Sequence, residues 1–131
     1  MSVLLLDANV LIALTIEEHD HHDRAAAWIG RMDRFALCPV VEAALVRYLL
    51  RIGERISTAR DVLASIHRIP GVEFWSDAPS YVDVDLDQVV GHRQVTDAYL
   101  VSLARARGAR LATLDEGLVE TWPDHSLLIP A

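Results

Sequence analysis

Short runs of consecutive apolar residues limit the folds open to this chain more than any other feature: SVLLL (2–6), FALC (35–38), RLATL (110–114) and SLLIP (126–130). A strand with one face in water alternates apolar and polar side chains. A run that is apolar at every position must be buried on both faces, as in a parallel sheet covered by helices. Between these runs the pattern becomes helical. A helix is predicted from about Asn9 to Leu14, and a second over HHDRAAAWIGRM (21–32), with Ala25, Ile29 and Met32 on one face. Pro39 starts a third that runs to about Ile52, with Gly53 as its stop. Ser57 is expected to cap TARDVLASIHRI, which Pro70-Gly71 ends. VEFW (72–75) reads as a strand, DLDQVVG as a short helix, Thr96 to Arg107 as a helix closed by Gly108, and GLVETW as a helical turn. Strands alternating with helices give an α/β fold, a central parallel β-sheet flanked by α-helices. With no repeat or linker, residues 1–131 form one domain, large enough to bury a real core. Right-handed crossovers then bring the strand C-termini to one edge, where α/β proteins build their sites.

Composition narrows the function classes. Apolar residues make up 52% and charged residues 24%, as in a globular protein. The single cysteine, Cys38, is expected to be buried and inert and fits a reducing compartment. The apolar N-terminus lacks a basic leader segment, and no run suits a membrane span, so a cytoplasmic protein is expected. Net charge is −7, with twelve arginines and no lysine. Taken alone, that balance argues against a nucleic-acid binder. Bound divalent cations or locally gathered arginines would reverse the inference.

Four acids occupy the shared edge. Asp7 interrupts VLLLDANVLIAL at the end of the first strand, and Asp115 ends RLATL. Glu42 lies in the first turn after Pro39, and Asp97 opens the helix TDAYLVSLA. Any one of them could be a helix cap. Four converging from separate segments are harder to explain that way, because clustered carboxylates repel one another. A hard divalent cation removes the conflict: Mg²⁺ takes carboxylate oxygens, keeps waters, and leaves room for a phosphate. Metal-assisted hydrolysis of a phosphodiester is the chemistry this pattern suggests.

The segments LLLDANVLIAL, PVVEAALVR, VTDAYLVSLA and LATLDEGL resemble, in order and spacing, the acidic motifs of PIN-domain ribonucleases, and more narrowly the VapC toxins of bacterial toxin–antitoxin pairs. The resemblance spans Val3 to Pro130. It implies that Asp7, Glu42, Asp97 and Asp115 are catalytic, with Asp7, Asp97 and Asp115 on the metal and Glu42 binding it or positioning water. Asn9 and Thr113 would orient them. The implied cofactor is Mg²⁺ or Mn²⁺. The implied partners are an RNA substrate, cut to leave a 5′-phosphate and a 3′-hydroxyl, a second copy in a homodimer, and a cognate VapB-type antitoxin that blocks the site. Glu116 departs from the pattern as an extra acid beside Asp115, with a role in metal binding or none.

Other signals are weaker. His19, His21 and His22 in HDHH resemble metal ligands but lack zinc-site spacing and read as solvated or capping residues. His92 and Arg93 precede Asp97, and either border the cleft and meet RNA phosphate or lie on a plain loop. Arg47, Arg51 and Arg55 recur every four residues, as a phosphate track or a solvated face. The DVDLD run (83–87) lacks the glycine and glutamate of a calcium loop and reads as a helix start. Trp28, Trp75 and Trp122 fit a core or a dimer interface. Two rival readings remain: a haloacid-dehalogenase-like phosphatase with Asp7 as nucleophile, disfavoured by Asn9 two residues on and the lack of lysine, and a catalytically silent interaction module.

Overall fold

The computed structural model describes residues 3–131, so Ser2 of the first apolar run lies outside the described residues. Five strands, β1 (Leu4–Leu6), β2 (Phe35–Leu37), β3 (Val72–Phe74), β4 (Arg110–Thr113) and β5 (Ser126–Leu128), form one sheet in the order β3-β2-β1-β4-β5. Every pairing is parallel. Six helices connect and cover them: α1 (Ala8–Thr15), α2 (His22–Ile29), α3 (Pro39–Arg51), α4 (Ile56–His67), α5 (Val95–Ala106) and α6 (Glu116–Thr121).

The continuous apolar runs are explained by burial. Leu4, Leu5 and Leu6 are all buried although successive strand side chains face opposite ways, so both faces of the sheet centre are covered. Edge strand β3 is only partly covered, and Phe74 is exposed. α1 packs on α2 and α3, and α5 packs on β1 and β4. Trp28, Trp75 and Trp122 are buried in the core, as expected. Cys38 is fully buried, which pushes its thiol up to about 11 and keeps it protonated and inert.

Three local expectations are corrected. α2 ends at Ile29 rather than Met32, with Gly30 at its C-terminus. α4 begins at Ile56 after Arg55, so Ser57 lies inside the first turn and does not cap it. DLDQVVG forms turns instead of a helix. There the Asp85 carboxylate accepts the Asp87 N–H at 3.0 Å, a local bond that competes with helix formation, and Leu86 and Val90 stay exposed. Among the described residues no helix is long and apolar enough to cross a membrane.

Candidate active site

The parallel arrangement places Asp7 just beyond β1 and Asp115 two residues beyond the adjacent β4. Both residues also start helices. Asp7 Oδ1 accepts the Ala8 N–H at 2.8 Å, and Asp115 Oδ1 accepts the Leu118 N–H at 3.2 Å. Each of these acids at the C-terminal edge of the sheet therefore also caps a helix. Asp97 comes from a third element, the first turn of α5, and is half-buried.

A polar relay joins the first two acids. The fully buried Thr113 hydroxyl donates to Asp7 Oδ2 at 2.7 Å, and its oxygen accepts the Asp115 N–H at 3.1 Å. Asn9 Oδ1 accepts the Leu114 N–H at 3.4 Å and so ties α1 to the end of β4. Thr113 thus contacts two of the acids, whereas Asn9 bonds the backbone next to Asp115.

The three aspartates share one electrostatic field. Burial raises the Asp7 carboxyl above its ordinary value; the bonds from Thr113 and Ala8 pull the other way, and Asp115 adds to the rise. Asp97 is pushed up to about 6, chiefly by burial and then by the charges of Asp7 and Asp115. The grouping is open: among the described residues, no three His, Cys, Asp or Glu side chains stand close enough to enclose an ion. Three hard oxygen donors of this kind suit Mg²⁺ or Mn²⁺. Beside them lies a cleft of about 390 Å³ lined by Arg93, Gln94, Asp97, Asp115, Gly117 and Trp122, among others.

Glu42 keeps different company. It sits in the first turn of α3, and His67 Nε2, from the end of α4, lies 2.5 Å from its Oε2. Its charge also raises the Asp77 carboxyl, although burial is the larger cause there. His67 and Asp77 were missed by sequence reasoning. Asp77 follows β3 by three residues and obeys the strand-end rule that found Asp7 and Asp115. Nothing local marks His67, whose position depends on the packing of α3 against α4.

The remaining candidates separate. Arg93 lines the cleft, in the 3-10 turn His92–Gln94; His92 shares the turn but not the cleft lining. Arg47 and Arg51 are exposed on α3, while Arg55 lies beyond its end, so the stripe is broken at Gly53. Glu116 is exposed in the first turn of α6. His22 Nδ1 bonds the Ala13 carbonyl at 2.8 Å, linking α2 to α1, and His19 Nδ1 accepts the His21 N–H.

A family model described as the PIN domain matches residues 4–121. Ribonuclease VapC29 of Mycobacterium tuberculosis is 52% identical over 128 residues, covering 97% of this chain and 96% of the relative. Ribonuclease VapC38 of the same organism is 42% identical over 121 residues, covering 87% of this chain and 86% of the relative. Among solved structures, M. tuberculosis VapC20, a sarcin-ricin loop cleaving toxin, superposes with a TM-score of 0.67 at 16% identity, over 91% of this chain and 95% of that chain. VapBC2 from Rickettsia felis, solved with a DNA fragment from its promoter, also gives 0.67, at 15% identity over 98% of this chain and 99% of that chain. These two likenesses concern the fold.

Proposed function

The chain belongs to the PIN-domain family, on its VapC branch, and from that membership we propose that it is a metal-dependent endoribonuclease toxin held in check by a cognate VapB-type antitoxin. The observation that carries the catalytic assignment is the gathering of three carboxylates from three elements: Asp97, already raised by burial, is pushed up further by the charges of Asp7 and Asp115. Such a group is unfavourable alone and is relieved by a divalent cation.

In this reading Asp7, Asp97 and Asp115 hold Mg²⁺ or Mn²⁺. When bound, the ion stabilises charge on a phosphoryl oxygen and acidifies a water molecule. The chain's own residues supply the positioning. Thr113 fixes Asp7 in one rotamer and carries the N-terminus of α6, with Asp115, at a set distance from β1. Glu42, steadied by His67, orients water for in-line attack on the phosphodiester. Glu116 has no assigned part. The protein would work in the cytoplasm as a homodimer, and a basic residue of the antitoxin would neutralise the acidic cleft.

The test is incubation of antitoxin-free protein with total cellular RNA in Mg²⁺, Mn²⁺ or EDTA, beside Asp97→Asn. Discrete cuts are expected with either metal, lost in EDTA and reduced about 100-fold or more in the variant, since even outer partners of metal ligands cost roughly 10–100-fold. Cuts that survive both EDTA and the substitution would overturn the proposal.

A further inference from the structure

The cleft beside the aspartates is lined by charges of both signs. Asp97, Asp115 and Glu120 line it, and so does Arg93. Among the described residues Arg93 makes no ion pair; the pairs present there are Arg34–Glu73 and His67–Glu42. Nor does Arg93 contribute to the charge balance of Asp97, which burial, Asp7 and Asp115 set. Its guanidinium is therefore an uncommitted cation at the mouth of a site that must receive a polyanion.

The neighbouring Gln94 is constrained in an informative way. Its Oε1 accepts the Val90 N–H at 2.7 Å and the Gly91 N–H at 3.2 Å. An amide nitrogen cannot accept, so these two bonds fix which end of the side chain faces the loop. The Nε2 group is the end left to donate, on a residue that lines the cleft. Arg93 and Gln94 thus offer adjacent donors and no free acceptor, a pattern that suits the non-bridging oxygens of a phosphodiester.

We infer that Arg93 and Gln94 form a binding subsite for an RNA backbone phosphate flanking the one that is cut, with Arg93 supplying charge and Gln94 Nε2 a directed hydrogen bond. The inference rests on the ribonuclease reading above. The subsite carries no base preference of its own; it holds the strand in register while the aspartates act on the next linkage. It also lets a chain of net charge −7 engage RNA with one arginine instead of a broad basic face.

Two substitutions separate this role from loop maintenance. Arg93→Gln removes the charge from an exposed residue. Gln94→Glu keeps an oxygen for the Val90 and Gly91 amides but turns the donor into an anion. The substrate is a short single-stranded RNA carrying the cut site mapped with the wild-type protein, and kcat and KM are measured over a range of salt concentrations. Either variant should raise KM about tenfold, the cost of losing one charge-assisted hydrogen bond, with kcat carrying the smaller part of the change. Arg93→Gln should also flatten the slope of log(kcat/KM) against log[salt] by about 0.7, one phosphate contact on a single strand. A purely structural residue would not alter that slope. Unchanged KM and slope in Arg93→Gln, with wild-type cleavage intact, would overturn the subsite and leave the ribonuclease standing. A wild-type protein that cuts no RNA would remove both.

Discussion

Thr113 and Asp7 are 106 residues apart in sequence, yet the threonine hydroxyl donates to the aspartate Oδ2 at 2.7 Å inside the core. The same hydroxyl oxygen receives the Asp115 N–H. One side chain thereby sets two of the three aspartates relative to each other. A carboxylate at the end of a buried strand is tolerated because it arrives with its hydrogen bonds already made.

Thr113→Val keeps the shape and removes the relay. Loss of both bonds should cost about 1–3 kcal/mol of stability, as for buried groups left unsatisfied. Activity should fall roughly 10–100-fold, the usual cost of losing an outer partner of a metal ligand. Thr113→Ser should recover most of both. Urea unfolding and RNA cleavage, run on the two variants side by side, check this; a fully active Thr113→Val protein would show that Asp7 needs no such support.

Asp97 makes the metal-free protein sensitive to pH. Its folded carboxyl titrates at about 6, above the ordinary 3.8, so the folded chain holds a proton that the unfolded chain releases. That contribution to stability is complete below the ordinary value and is lost as pH rises through about 6. Asp97→Asn should therefore unfold a few degrees above wild type at pH 7.5 in EDTA, and the gap should shrink toward pH 5. Thermal melts at the two pH values give the answer. A gap that widens on acidification would contradict the assigned charge coupling.

Gly117 presses close to the site. A Cβ built there would lie 3.3 Å from Asp115 Oδ1, close enough that the carboxylate must shift by a few tenths of an ångström. Because Gly117 is helical, alanine should stabilise α6 by up to about 1 kcal/mol. Gly117→Ala is expected to melt at or above the wild-type temperature while cleaving RNA more slowly. Wild-type rates in this variant would mean that Asp115 has room to move.

Gly71 is fixed by the fold instead of the chemistry. It has a φ of +90°, and a Cβ there would stand 1.9 Å from the Asp33 carbonyl oxygen. Its own carbonyl accepts the Phe35 N–H, which starts the pairing of β2 with β3. Gly71→Ala should lose about 3 kcal/mol or more, read as a lower urea midpoint. An unchanged midpoint would show that the turn can open without disturbing the sheet.

Much of this arrangement was legible in the residue pattern. Runs such as LLL and FAL are apolar at every position because both sheet faces are covered, and that already implies parallel strands and a common C-terminal edge. Asp7 and Asp115 follow from being polar where those runs stop. The turn at Asp85–Asp87 was misread because a short acidic segment with scattered valines imitates a helix start; only the missing apolar face and the local carboxylate bond distinguish it. The Glu42–His67 contact was out of reach for a different reason. It joins two helices through tertiary packing: Glu42 is marked by its place after Pro39, but nothing in the spacing marks His67 as its partner. Gln94 was passed over because its part depends on which end of the amide the loop occupies, a matter of hydrogen bonding and not of pattern.

The most direct measurement is a Mn²⁺ titration of the antitoxin-free protein, followed by electron paramagnetic resonance, for wild type and for Asp7→Asn, Asp97→Asn, Asp115→Asn and Glu42→Gln. Wild type should bind the ion, each aspartate variant should bind at least about tenfold more weakly, and Glu42→Gln should be affected least. Binding that is insensitive to Asp97→Asn in a folded protein would contradict a metal centre built from these three aspartates.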